Sequence, residues 1–358
     1  MAYVITVLLF LLAFLLGFVA LRSLRRLIVS SSSRFSASLE RVSDQVQALK
    51  KAQEANKRLL ELLLFINNSS PAEPQITTHI DVNSSQPVLI NLGCGSTFDR
   101  RWINLDLCPF SPDIHQLDLN RRLPFDDQSI DVAYSSHVLE HLSPHQVPCF
   151  MREVRRVLKQ GGIFRIVVPD LEQITNQYLH SLRQARSGGK TDRLRHEWMV
   201  IELVDQVARQ TNDGGEMIRF LLRHGETGLD IATKRLGAEI AATPLPWDAS
   251  KTKAEWIREI AADEHFSDDA IFERRRAMTA LDTGLFRRSG EPHLWMYDEV
   301  SLTALFAASG FISVQRMTST SSRIADFASY KLDSTETGLD RKPDSLYMEA
   351  IKSSSPDC

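Results

Sequence analysis

Five short clusters hold the side chains and backbone shapes that can do chemistry. Gly93-Cys94-Gly95-Ser96 follows the apolar run PVLINL. Asp106 ends a second run, WINLD, and Asp118-Leu119 ends a third. Ser135-Ser136-His137 ends IDVAYSS, with Glu140-His141 just beyond, and Asp170 ends IFRIVVPD. Glycine adopts backbone conformations closed to other residues and lets a ligand approach the main chain. An acid after a second strand is placed to accept hydrogen bonds from two ribose hydroxyls. Gly-x-Gly by itself is also the mark of a tight structural turn. The third glycine of a dinucleotide fingerprint is missing, which disfavours NAD. No glycine-rich loop runs into Lys-Ser or Lys-Thr, which disfavours a nucleoside triphosphatase.

The elements that must position these groups are legible from apolar spacing. PVLINL, WINLD, the stretch around His115 to Leu119, IDVAYSS and IFRIVVPD read as buried strands. A helix lies between the last two. Ser143 suits its cap, Pro144 its first turn and Gly161-Gly162 its end. Val147, Phe150, Met151, Val154, Val157 and Leu158 repeat at helical spacing within it. Strands alternating with helices predict an α/β fold: a doubly wound, mostly parallel seven-stranded sheet with ligands beyond the carboxyl ends of its strands. YDEVSLTALFAASGF supplies a further helix closed by Gly310, and ISVQRM and SLYMEAIK supply strands six and seven.

The ordered run LGCGS, WINLD, LDL, LPFDDQSIDVAYSSHVLEHL and REVRRVLKQGGIFRIVVPD resembles the class I S-adenosylmethionine-dependent methyltransferases, and within them the methyltransferase type 11 branch. The resemblance implies that S-adenosylmethionine is the cofactor. It implies that Gly93, Cys94 and Gly95 pack under the methionine part and ribose, and that Asp106 holds the ribose hydroxyls with Leu107 beside it. It implies that Asp118 and Leu119 bind adenine, and that Ser135, Ser136 and His137 line the floor beside the sulfonium. The residues agree with such a ligand. It is cationic, carries two adjacent hydroxyls and has no phosphate, so it calls for carboxylates and backbone carbonyls.

Methyl transfer from a sulfonium is an in-line displacement on an activated carbon, helped by holding the acceptor atom close and aligned. A hydroxyl acceptor also needs a base to take its proton. His137 is the first candidate by position and Asp170 the second, each also suited to a purely structural strand-end role. HVLEH resembles the EMLEH segment of ubiquinone-type O-methyltransferases, whose acids and histidine can hold a divalent ion. Here Glu140 and His141 match, but His137 replaces the first acid. Structural roles are expected for this group and no metal, so that activity should survive a chelator.

Residues 171–291 are helical in character and exceed what the fold needs. An insertion leaving strand five predicts a cap over the acceptor pocket. Trp198, Met199, Phe220, Trp247 and Trp256 suit its core, although one or two of them can also stack on an acceptor ring. HLWMYDEVSL and RKPDSLYMEAIK resemble phrases in bacterial methyltransferases encoded among surface-polysaccharide genes, which implies a sugar hydroxyl or glycan-precursor acceptor. His293 and Tyr297 reach either the pocket or the core from that side.

Residues 2–21 carry no charge and have the length of a bilayer-spanning helix, followed at once by Arg22, Arg25 and Arg26. One uncleaved anchor over 1–22 with a cytosolic catalytic domain is expected. A polar helical stalk over 23–66 places Leu39, Val42, Val46, Leu49, Leu60 and Leu63 on one seam. That seam suits either a parallel homodimer or a single amphipathic helix. A linker over 67–86 precedes the core, which divides into 87–170 and 292–358 around the cap. The net charge of -3 gives no basic field for nucleic acid. The four cysteines lack the close spacing of a zinc or redox site and read as free thiols. Three functions follow from the sequence: a membrane-tethered methyltransferase for a sugar or glycan precursor, one for a quinone or other lipid phenol, and a non-catalytic cofactor-binding scaffold.

Overall fold

The computed structural model of the chain describes Ile80, Val82, Glu273 and residues 86–211, 214–237 and 275–354. The expected anchor and stalk, Trp247, Trp256 and Cys358 lie outside the described residues. Among the described residues, no helix is long and apolar enough to cross a membrane. Contacts divide the chain into two units, residues 1–76 and 77–358, and the second holds everything below.

Seven strands form one sheet: β1 (Leu89–Leu92), β2 (Ile103–Asp106), β3 (Ile114–Gln116), β4 (Ile130–Ser136), β5 (Leu158–Pro169), β6 (Phe311–Arg316) and β7 (Ser345–Lys352). Their order is β3-β2-β1-β4-β5-β7-β6. The first five run parallel, while β7 is antiparallel to both β5 and β6. The strand order reverses beside β1, so the ends of β1, β2 and β4 border the crevice where such sheets bind ligands.

Helix α1 (Val147–Val157) buries Val147, Phe150, Met151, Val154 and Val157, as their spacing predicts. Its ends differ from expectation. Ser143 sits in the preceding turn, where its carbonyl accepts from the amides of Gln146 and Val147. Gln146 is the cap and Pro148 takes the first turn. At the other end the backbone turns extended at Leu158, which pairs with Ile130. Gly161 and Gly162 therefore do not stop the helix. They lie in an irregularity of β5, where pairing with β4 jumps from Leu158 to Ile163. Gly161 has φ +76°, and a Cβ on Gly162 would lie 2.9 Å from the Lys159 carbonyl oxygen, so the bulge needs both glycines. The third strand is also shorter than expected.

One face of the sheet packs against α1 and α6 (Glu299–Ala308). Phe164, Phe306 and Phe311 meet there with ring centroids 5.6–5.9 Å apart. Ile80 and Val82 join this core, and the Ile80 amide donates to Pro124 O at 3.0 Å. Packing onto the core thus begins within the stretch read as linker. The other face buries Trp102, Tyr134, Val167 and Tyr347 under Ile324, Phe327 and Leu332 from the β6–β7 connection. Helices α2 (Leu171–Ser187), α3 (Lys190–Ala208) and α4 (Gly215–Leu236) share a separate core around Trp198, Met199 and Phe220. Helix α5 (Ala280–Arg287) follows them.

Candidate functional site

The first strand ends at Gly93, and two constraints select glycine there. Its φ is +71°, and a Cβ would sit 2.3 Å from Val138 Cγ2. Gly95, at φ +49°, has nothing within 4 Å of where its Cβ would be, so the turn presents bare backbone to open space. The chain then crosses to the parallel β2 by an irregular loop. Two buried asparagines hold that loop: Asn91 Nδ2 reaches the Thr97 carbonyl and Asn104 Oδ1, each at 3.3 Å, and Asn104 Nδ2 donates to the carbonyls of Asp99 and Trp102, each at 2.9 Å. Neither asparagine was singled out from the sequence. Amide side chains at inward strand positions are the signal that was there to read.

Asp106 closes the crevice from the second strand. Its Oδ2 accepts from the Gly95 amide at 2.8 Å and its Oδ1 from the Cys108 amide at 2.9 Å. A carboxylate has about four acceptor positions, so two remain for ligand hydroxyls. The Leu117 amide donates to the Asp106 carbonyl at 2.8 Å, which brings Asp118 alongside. Asp118 Oδ1 accepts from the Asn120 backbone and side chain at 2.9 and 3.0 Å, leaving Oδ2 with Arg121 Nε at 3.7 Å. Leu119 packs against the core from its partly buried position, and Leu107 is half exposed at the rim. Cys94 is buried in the turn. Burial, then the charge of Asp106, pushes its thiol up to about 12. Ser135 is 1% exposed and its hydroxyl has no hydrogen-bond partner among the described residues. A bare glycine turn, an acid with spare acceptors and an orphaned buried hydroxyl fit the nucleoside that the sequence implies.

Beyond β4 the chain kinks at His137, φ +54°. Its Nε2 lies 2.9 Å from Ser345 Oγ and its Nδ1 3.2 Å from Glu140 Oε1. The carboxylate beside Nδ1 favours the tautomer with its proton there, which leaves Nε2 to accept from the hydroxyl. Glu140 is wholly buried, with its carbonyl taking the amides of Leu294 at 2.7 Å and Trp295 at 3.2 Å. Burial pushes its carboxyl up, but His137, then His141 and His293, outweigh that and hold it at about 2. Tyr297 is buried nearby, and burial followed by the Glu140 charge pushes its phenol up to about 12.

Asp170 has a different occupation from the one expected of it. It is 1% exposed, its Oδ1 caps α2 by accepting from the Gln173 amide at 3.2 Å, and its Oδ2 pairs with Arg316 Nη2 at 2.7 Å. Both oxygens are engaged, so it fixes the exit from β5 and is not placed to receive a proton. Trp198 and Phe220 are buried in the helical core, with Trp198 Nε1 donating to Glu202 at 2.8 Å, and are not presented to an acceptor ring. The exposed aromatic beside His293 is Trp295, which the sequence reading passed over as part of a phrase.

Residues 91–166 match a family model described as a methyltransferase domain, of type 11. No curated protein matches the chain. Among solved structures, the chain is similar to the carbon methyltransferase CurJ at 11% identity and TM-score 0.30, covering 75% of this chain and 50% of that one. This chain thus spans half of that protein. It is similar to the YcgJ protein of Bacillus subtilis at 12% identity and TM-score 0.31, covering 76% and 94%. It is similar to a SAM-dependent methyltransferase of Archaeoglobus fulgidus at 11% identity and TM-score 0.30, covering 75% and 87%.

Proposed function

We propose that this chain, whose residues 91–166 carry an S-adenosylmethionine-dependent methyltransferase domain, methylates the hydroxyl of a sugar or glycan precursor. One observation carries the choice of a hydroxyl. His137 turns Nε2 toward a hydroxyl, that of Ser345 at 2.9 Å, while Glu140 stands at Nδ1. A buried carboxylate behind an imidazole sets its tautomer and stabilises the imidazolium that forms when it takes a proton.

When bound, the cofactor supplies a methyl group activated on a sulfonium. Gly95 gives its nucleoside room against the backbone, Gly93 shapes the turn against Val138, and Asp106 takes the ribose hydroxyls. Ser345 Oγ occupies the position an acceptor hydroxyl would take at Nε2, or passes the acceptor's proton on to it. His137 then holds that proton at Nε2 against the Glu140 charge. Trp295, half exposed next to this group, offers a face on which a sugar ring can stack. The sugar class itself rests on the resemblance of HLWMYDEVSL and RKPDSLYMEAIK to methyltransferases of polysaccharide clusters. The uncharged stretch of residues 2–21, followed by Arg22, Arg25 and Arg26, supports a location at the cytosolic face of a membrane and so a lipid-linked precursor as acceptor.

Three measurements test this. Labelled methyl transfer into fractionated envelope material should enter hydrolysed glycan; label in the lipid extract alone would point to a lipid phenol instead. His137→Gln should lower transfer by about 10²–10⁴-fold with cofactor binding retained. Asp106→Ala should weaken cofactor binding by roughly 10–100-fold in calorimetry, as loss of hydrogen bonds to a charged group predicts. A His137→Gln enzyme of full activity would remove the base from the mechanism.

A further inference from the structure

A second cluster lies against the back of this base. Glu140, His141 and His293 each offer one donor atom, and those atoms all lie within 4.8 Å of one another. Glu140 is 0% exposed, and among the described residues neither of its carboxylate oxygens has an aligned hydrogen bond. His137 Nδ1 touches one oxygen at 3.2 Å, which leaves most of the acceptor capacity of a buried carboxylate unused. Such a group is costly unless a cation meets it.

His141 is oriented as a metal ligand is. The Pro292 carbonyl lies 3.2 Å from His141 Nδ1 and accepts its proton, so Nε2 carries the free lone pair. A ligating histidine held by a carbonyl at its other nitrogen is the common outer-shell arrangement. The His141 and His293 rings stand edge to face with centroids 4.8 Å apart. His293 arrives because the amides of Leu294 and Trp295 both fasten to the Glu140 carbonyl.

We propose that Glu140, His141 and His293 bind one divalent cation of the zinc class. Two imidazole nitrogens with one carboxylate oxygen suit a softer ion than magnesium or calcium. Three protein ligands leave the fourth tetrahedral position to water or to an oxygen of the acceptor. Ligand atoms about 2.0–2.2 Å from zinc lie closer together than the present span, and a closure on the order of 1 Å brings them there. The pentapeptide HVLEH raises the question of a metal but does not supply the ligand set, because His137 turns to Ser345 and the third ligand comes from beyond the insertion. The site also ties residues 292–295 to the turn after β4. It does not depend on the methyl-transfer reading, since binding is measured with the metal alone.

The test uses the full chain, untagged, stripped with chelator and dialysed. Zinc chloride is then titrated against a chromophoric competitor, and bound zinc is counted by elemental analysis. The expected result is one tight zinc per chain, with a raised melting temperature. His293→Ala and His141→Gln should each weaken that site by at least 100-fold and lose the zinc-dependent rise in melting temperature, while His115→Ala, an exposed histidine on β3, should leave both unchanged. Cobalt in place of zinc should give the visible bands of a tetrahedral ion with nitrogen and oxygen ligands. Absence of a stoichiometric tight zinc in the unmutated chain overturns the proposal, whether or not the variants fold. So does zinc binding that survives both His293→Ala and His141→Gln. A metal-free chain that still transfers methyl groups would refute a catalytic use of the ion, while the binding result would still decide the site.

Discussion

At the scale of single residues, the crevice depends on groups whose surroundings change their chemistry. Cys94 sits between Gly93 and Gly95, and the structure withholds its thiolate. Burial and the neighbouring Asp106 raise its thiol to about 12 from an ordinary 9.0. A three-unit rise lowers the thiolate fraction at pH 8 by about 10³-fold. Alkylation of Cys94 by iodoacetamide, followed by mass spectrometry, should therefore be slower by about that factor in the folded protein than in urea. The sign for stability is also set. A thiol whose pKa is raised on folding contributes fully below pH 9, and that contribution is lost as pH rises toward 12. Equal alkylation rates in the folded and unfolded chain would show that the thiol is not held in this way. Asp170 gives the opposite lesson. An acid at a strand end looks like a base in sequence, yet here its two oxygens belong to a helix cap and to Arg316.

At the scale of elements, the β1–β2 turn and the turn after β4 form one unit. A Cβ at Gly93 would meet the Val138 methyl at 2.3 Å, in a backbone conformation that side chains already disfavour. Gly93→Ala should therefore cost about 1–3 kcal/mol in urea unfolding. The double variant with Val138→Ala should recover part of that loss, because only the steric share is relieved. No recovery would mean that the backbone angle alone selects glycine. Elements also explain why the expected helix ends moved. Apolar spacing continues through Val157 and Leu158, but Leu158 is claimed by pairing with Ile130. The two glycines then shape a strand irregularity. Glycine pairs look alike in sequence whether they stop a helix or bend a strand.

At the scale of the whole molecule, the sheet needs two covered faces, and they are covered differently. Helices α1 and α6 cover one with hydrocarbon. The β6–β7 connection covers the other around a buried cation. Arg165 is 0% exposed, donates to Asp333 at 2.8 Å and to Glu349 at 2.7 Å, and lies 4.4 Å over the Phe327 ring. Tyr134 Oη adds a 2.6 Å bond to the same Asp333. Removing one member of such a set leaves buried charge without a partner. Arg165→Met should cost about 3–5 kcal/mol in urea unfolding, and the triple variant that also replaces Asp333 and Glu349 by apolar residues should regain much of it. A single variant as stable as the original chain would show that the cluster is not coupled.

The sequence by itself determined the strand order along the chain, the glycine turn, the two acids at the ends of the second and third strands and the helical character of the insertion. Each of these is a local signal: a period of two or 3.6, or a residue type at a strand end, readable within a few positions. Tertiary structure alone decided which histidine has a carboxylate behind it, that Asp170 is a cap, and that Arg165 lies in the core. It alone brought His293 to His141 across 152 positions of chain. Those facts are contacts between distant segments, and no local spacing records them, because the sheet and the covering connections must close before the partners exist.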